Sequence, residues 1–513
     1  MDLIIIGFGI SGIAAAKYAK EHGLNFIVIE KMDSFGGVWL NAPDTTEIQT
    51  SKDSYQFPDF PMPKNVPIYP KRNDIIEYLG MYIRLHSLEQ YVRYNTVIDK
   101  CEFIDMKWIV STKSEVNTSE VFTSDFIAVC SGYFNHKRPL PAEFDGYSGD
   151  IISETKLTNK FIRDCDGKNA LIIGNGASSV DFLKQLKNYD LIGKIKLDMV
   201  YRTHKYYIDK FIGKDIPVSI LISHFILKIL DNIPYIMTVI VLSLFCKFKS
   251  RYPSDKIKYN NIVSTSLIYD LEESGELYYF KDTILDIQGK TIRFKSGQIR
   301  TYDYIINVSG YSKHIDFLNI KCVDTVLGVN YILSDDYPQC GFIGFTPSYN
   351  WLPVIDAQSK WFIKYIKGYD GVTQNYSNKN TSNDLTYRSM DYYQHLNGED
   401  SNEFKLICLV ISIISLSIIF LQGHNNYIFI ISLFSIIGYF YYTKDIEDKQ
   451  KTALLMICFS IYGIITESFI IRTSGILKYT TPSKDCGLNF PNYLIFIYAS
   501  WILVIKLLLK KIK

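Results

Sequence analysis

The first twelve residues, MDLIIIGFGISG, leave little choice of fold. Four apolar residues run straight into glycines at positions 7, 9 and 12. This reads as a buried parallel strand followed by a tight turn at Gly7. Gly9 then leaves the backbone open to a pyrophosphate, and Gly12 lets the following helix pack closely. The helix is expected from Ser11 to about His22, with its positive N-terminal end toward a phosphate. A second strand, NFIVIE, ends in Glu30, where an acid accepts the ribose hydroxyls of an adenosine nucleotide. The chain then reaches GGVW at 36–39, where glycine allows close backbone approach.

A near copy, ALIIGNGASS, stands at 170–179. It offers Gly174 and Gly176, then Ser178 and Ser179 where a third glycine would be expected. A small residue at 179 still lets helix and strand pack. The next strand, KLDMVYRT, ends in Arg202 and Thr203 rather than in an acid. Arginine there pairs bidentately with a 2′-phosphate that a carboxylate would repel, which favours NADPH over NADH. His204 and Lys205 are weaker auxiliaries, and Arg202 as an ordinary surface residue is the competing reading. The fold class expected is α/β, with two Rossmann-like dinucleotide-binding domains.

The series GFGISG, VIEK and FGGVW resembles the FAD-binding half of the flavin-containing monooxygenases. Four further stretches extend the resemblance: EIQTSKDSYQFPDFPMP (47–63), IAVCSGYFNHKRPLP (127–141), YDYIINVSGY (302–311) and GFIGFTPSYNWLPVIDAQSKW (341–361). It runs from residue 3 to about 370. It implies an FAD domain of residues 1–150 with 300–370, and an NADPH domain of 151–299. The implied FAD contacts are Gly7, Gly9, Ser11, Gly12, Glu30, Gly37, Val38, Trp39 and Gln358. Those for NADPH are Gly174, Gly176, Ser178, Ser179, Arg202 and Thr203.

In that family NADPH reduces the flavin. O₂ then gives a C4a-hydroperoxide that transfers one oxygen to a small lipophilic nucleophile, at nitrogen or sulfur. The cofactor carries the hard step, so no protein nucleophile is needed. The chain departs from the family in three places. Ser51 stands where many animal-type members have an asparagine beside the oxygenated flavin. Ser153 follows Tyr147 and Gly149 in place of a histidine, and Ser309 replaces a threonine. These departures leave open a Baeyer–Villiger-type oxygenase, an NADPH oxidase leaking H₂O₂, and a flavin-bound sensor. A disulfide reductase is disfavoured, because no cysteine pair follows the first turn.

The remaining 143 residues read differently. After a polar linker at 371–403 come four apolar runs, 406–421, 427–443, 453–471 and 490–509. Each is long enough, or nearly so, for a hydrocarbon core ~30 Å thick, so an all-α transmembrane bundle is expected. Glu467 inside the third run is an expensive placement, with Arg472 close by. No room for a signal peptide precedes the first strand. This predicts an integral, multi-pass protein in contact with membrane lipid, its catalytic part cytosolic. The terminal KKIK resembles an endoplasmic-reticulum retrieval signal, and positive flanking of the last span explains it equally well. An apolar insert at 215–250 is read as a membrane-dipping hairpin or a cap over the active site. Nine cysteines without a CxxC pair point to a reducing compartment, with neither a disulfide framework nor a zinc site; no metal is expected. With 55 basic and 53 acidic residues, a net charge of +2 gives no reason to expect nucleic acid. Oligomeric state is not legible.

Overall fold

The computed structural model describes residues 1–113, 119–134, 136–152, 157–203, 205–212, 216–217, 262–346, 351–368 and 396. The chain divides into two compact units, Met1–Ile220 with Val239–Glu399, and Leu221–Thr238 with Asp400–Lys513. All the described residues belong to the first.

Strand β1 (Leu3–Ile6) has its four side chains buried on both faces, as a central parallel strand requires. Helix α1 (Ile10–Glu21) carries the chain to β2 (Phe26–Ile29), which lies parallel to β1 with Leu3 opposite Phe26. Helix α2 (Arg72–Leu85) precedes the short β3 (Val92–Arg93). An antiparallel meander (Val97–Ile104, Lys107–Lys113, Val121–Ser124) then leads into β4 (Phe126–Val129), on the other side of β1.

The second sheet repeats this plan. Strand β5 (Asp150–Ile152) forms its edge. Strand β6 (Asn169–Ile173), helix α3 (Ala177–Asn188) and β7 (Lys196–Tyr201) form the central unit. Strand β8 (Leu277–Lys281) follows, and a second meander (Ile284–Gln288, Thr291–Phe294, Ile299–Thr301) leads to β9 (Tyr304–Asn307), beside β6. The chain then returns to the first sheet as β10 (Cys340–Phe342) and ends this unit with helix α4 (Trp351–Ile366).

The strand orders are β10-β4-β1-β2-β3 and β8-β7-β6-β9-β5, all parallel. In both sheets the glycine-turn strand has its helix-connected partner on one side and a later strand on the other. That is a topological switch point, where open parallel sheets bind ligands. The twin motifs thus belong to twin folds. The boundary expected at residue 300 moves, because Tyr304–Asn307 pairs with Ala170–Ile173 in the second sheet.

The two sheets are joined by two crossings of the chain, outward through residues 130–149 and back through 308–339. The crossings meet in an antiparallel pair, His136–Lys137 against Tyr311–Ser312. Asn307 ties them further. Its Nδ2 donates to Arg138 O at 3.1 Å, and its Oδ1 accepts from the Ser309 hydroxyl at 2.8 Å.

Helix α4 covers α1. Tyr18 donates its hydroxyl to Asp356 Oδ2 at 2.8 Å, while Asp356 Oδ1 is buried without a partner among the described residues. Burial pushes the Asp356 carboxyl up to about 6, against the Tyr18 hydrogen bond and Lys17. Asp181 on α3 is likewise pushed up to about 6 by burial. Between an ordinary carboxyl value of about 3.9 and this raised one, the native state keeps a proton that the unfolded chain has lost, so stability falls as pH rises through the window. Asp356→Asn is expected to flatten part of that slope in urea midpoints measured from pH 4 to 7. A slope equal to wild type would show that Asp356 does not titrate there.

No helix among the described residues is long and apolar enough to cross a membrane. The longest, α4, has 16 residues, about 24 Å at ~1.5 Å per residue. The expected transmembrane bundle and the multi-pass localisation are corrected on that finding. The segments 406–421, 427–443, 453–471 and 490–509, with Glu467, Arg472 and the tail, lie outside the described residues. So does the insert at 215–250, apart from Ile216–Pro217, which pairs with Phe211–Ile212.

Candidate dinucleotide sites

At the first turn, close contacts account for each glycine. Gly7 has φ +99°, and a Cβ there would meet Cys130 O at 2.7 Å. A Cβ on Gly12 would lie 1.9 Å from Gly7 O, so nothing larger fits while α1 starts where it does. The GGVW segment folds over the turn. Gly36 N donates to Phe8 O at 3.1 Å, and a Cβ on Gly37 (φ +58°) would reach Gly9 Cα at 3.1 Å. The two backbones leave a bare cradle at the N-terminus of α1 that side chains would fill.

Glu30 is buried at the end of β2. One carboxylate oxygen accepts Phe8 N–H at 2.5 Å and the other accepts Met32 N–H at 2.9 Å. The acid therefore holds the turn as well as facing it. Trp39 is buried and donates Nε1–H to the Tyr55 hydroxyl at 3.0 Å, whereas Val38 is half exposed. Ser51 is buried just before the short helical turn Lys52–Ser54.

The return segment completes this site. Gly344 (φ +83°) crosses so close to Ser11 that a Cβ would sit 2.1 Å from the serine Oγ. Gln358 is fully buried. Its Oε1 accepts Gly344 N–H at 3.0 Å and its Nε2 donates to Thr346 Oγ1 at 3.1 Å, so it shapes the 344–346 loop that lies against the turn. Beyond that loop, Tyr133, Phe134, Tyr311 and Trp351 form an aromatic cluster with ring centroids 4.9–5.9 Å apart, and Phe134 is 43% exposed.

The second turn is looser. Gly174 (φ +110°) is again required, since a Cβ would meet Val308 O at 2.5 Å. A Cβ on Gly176 would meet nothing within 4 Å. Ser179, in the place of Gly12, is fully buried and donates its hydroxyl to Gly176 O at 2.6 Å. Ser178 is partly exposed at the helix start. Arg202 and Thr203 are exposed just past β7, and Arg202 has no hydrogen-bond or ion-pair partner among the described residues. Lys205 is partly buried, and burial holds its ammonium below the usual range.

Sequence reading passed over the residues that brace this turn. Asn175, between the two glycines, donates its Nδ2 to Thr203 O at 3.1 Å and to the Tyr279 hydroxyl at 2.9 Å, and its main-chain carbonyl accepts from the Tyr207 hydroxyl at 2.8 Å. The polar side chain inside a glycine turn was the available signal. Also missed was the junction between the sheets. Glu47 Oε2 accepts from Lys184 Nζ at 2.8 Å and Lys210 Nζ at 2.6 Å, and Gln49 Oε1 accepts Ser264 N–H at 3.0 Å. Burial alone would raise the Glu47 carboxyl, but the two lysines outweigh it and hold it below its usual range.

Two parallel sheets, each with a glycine turn at a switch point, are the frame of an oxidoreductase that handles two dinucleotides. The model of the flavin-binding monooxygenase-like family matches residues 2–407, and the chain belongs to that family. Its cofactors are FAD and NADPH. Similar curated proteins include the probable indole-3-pyruvate monooxygenase YUCCA10 of Arabidopsis thaliana. It is 23% identical over 326 residues, covering 61% of this chain and 82% of the relative. The 4-hydroxybenzoate brominase (decarboxylating) of Marinomonas mediterranea is 25% identical over 391 residues, covering 71% and 74%. Among solved structures, cyclohexanone monooxygenase from Rhodococcus bound to NADP⁺ superposes with a TM-score of 0.55 at 15% identity, covering 72% of this chain and 84% of that one.

Proposed function

We propose that FAD lies on the first turn, that NADPH lies on the second, and that the protein uses O₂ to oxygenate a small lipophilic molecule at nitrogen or sulfur. The observation that carries the assignment is the contrast at the two strand ends. Glu30 is a buried acid fit for ribose hydroxyls, and Arg202 is an exposed guanidinium without a partner among the described residues, fit for a 2′-phosphate.

The first cradle fits a dinucleotide with no side chain in the way. Gly9 and Gly37 admit the pyrophosphate to backbone N–H groups, Gly12 seats the helix, and Ser11 and the 344–346 loop held by Gln358 close one side. Val38 and Trp39 extend that wall, and buried Ser51 is the candidate hydrogen-bonding group for the flavin. At the second turn Gly176 leaves room for phosphate, Ser178 and the α3 N-terminus offer donors, and Arg202 with Thr203 takes the 2′-phosphate end. The flavin, when bound, would supply the redox chemistry that links NADPH and O₂ to the oxygenation. The half-buried aromatic cluster of Tyr133, Phe134, Tyr311 and Trp351, with Phe134 exposed, supports an apolar substrate.

Rapid mixing tests this reading. Anaerobic NADPH should bleach the bound flavin, and O₂ should then yield oxygenated product from an amine or sulfide. Failure of NADPH to reduce the flavin overturns the assignment. Stoichiometric H₂O₂ without product overturns the oxygenation.

A further inference from the structure

The ribbon where the two crossings meet carries a cluster that the dinucleotide sites do not use. His136 lies on the outward crossing, and His314 and Asp316 lie on the return crossing. One ligand atom from each falls within 4.8 Å of the other two. The Nε2 atoms of His136 and His314 stand 3.7 and 3.4 Å from the two Asp316 carboxylate oxygens, and the imidazole centroids are 3.4 Å apart. Ser312 faces His136 across the strand pair. Its hydroxyl donates to His136 O at 3.4 Å and lies 3.0 Å from His314 Nδ1. In the tautomer in which Ser312 Oγ accepts the Nδ1 proton, the His314 Nε2 lone pair faces the carboxylate, and a cation between these two acceptors, a proton or a metal ion, relieves their repulsion. A hydrogen bond to the second ring nitrogen is the usual support of a metal-ligating histidine, and Ser312 Oγ stands where it can make one.

We infer that His136, His314 and Asp316 form a divalent metal site, zinc foremost, that clamps the two crossings between the sheets. Two imidazoles and one carboxylate suit Zn²⁺ with water in the fourth position. Because the ligands come from both crossings, the ion would cross-link the ribbon that joins the two sheets. Cysteine spacing could give no sign of such a site.

The experiment uses the full chain, stripped with chelator and titrated calorimetrically with ZnCl₂, with folding checked by circular dichroism. One zinc per chain is expected. His314→Ala and, separately, the exposed Asp316→Asn should each abolish that binding. Ser312→Ala should keep it but weaken it roughly ten- to a hundredfold. Co²⁺ should give the visible bands of a four- or five-coordinate ion in the parent and not in His314→Ala. Zinc binding unchanged in both ligand variants, or absent from the parent, overturns the proposal. These readouts do not depend on the flavin or on turnover.

Discussion

Gly12→Ala is expected to remove the flavin and most of the stability of the first sheet. The added Cβ would sit 1.9 Å from Gly7 O, and that atom belongs to the backbone of the turn. Relief therefore requires α1 to lift away from β1, where Ile13, Ala14, Ala15 and Ala16 are all fully buried. Overpacking of a core costs about 1–3 kcal/mol, and a rigid main-chain obstacle puts this case at about 3 kcal/mol or more. The expected results are a flavin-free protein and a lowered midpoint in thermal melts. Gly176→Ala is the control, because its Cβ meets nothing within 4 Å. It should keep both fold and flavin while raising KM for NADPH, since the open space there is the space proposed for the phosphate. Full flavin occupancy in Gly12→Ala would show that the close approach of helix and strand is dispensable.

Arg202→Ala is expected to raise KM for NADPH about ten- to a hundredfold, with little change in kcat and little effect on NADH. A hydrogen-bonded contact to a charged group contributes about 1.5–3 kcal/mol, and about 1.4 kcal/mol corresponds to tenfold in affinity. Loss confined to KM marks an interaction made equally in the ground and transition states, as a remote 2′-phosphate contact would be. Because Arg202 is exposed and supports no neighbour among the described residues, stability should not change. An equal loss with NADPH and NADH would mean that the arginine does not read the 2′-phosphate.

Much of the architecture was legible because the relevant contacts are local. Strand, turn, helix and strand lie within about thirty residues of each other, and periodicity exposes each piece. The helix expected from Ser11 to about His22 is observed at Ile10–Glu21, and the strand ending at Glu30 at Phe26–Ile29. Asn175 was missed because an asparagine in a turn has many local uses, and only the fold brings Tyr207 and Tyr279 to it. Gln358 was read as a cofactor contact, and the fold adds a bracing role, with its amide holding the loop that lies against the first turn. The four apolar runs drew a membrane bundle from hydropathy alone, and no helix among the described residues supports it.

By itself the sequence determined the two glycine turns, the opposite charges at the ends of their second strands, and through both the family. Those signals depend on short spacings that any parallel strand–helix unit must obey. Only the tertiary structure decided which distant groups share a site. Lys184 and Lys210 converge on Glu47 from 137 and 163 residues away, and His136 meets His314 and Asp316 across the crossing ribbon. Such partners are chosen by strand order and by the path of the two crossings. Packing of the whole chain sets that path, and no local pattern encodes it.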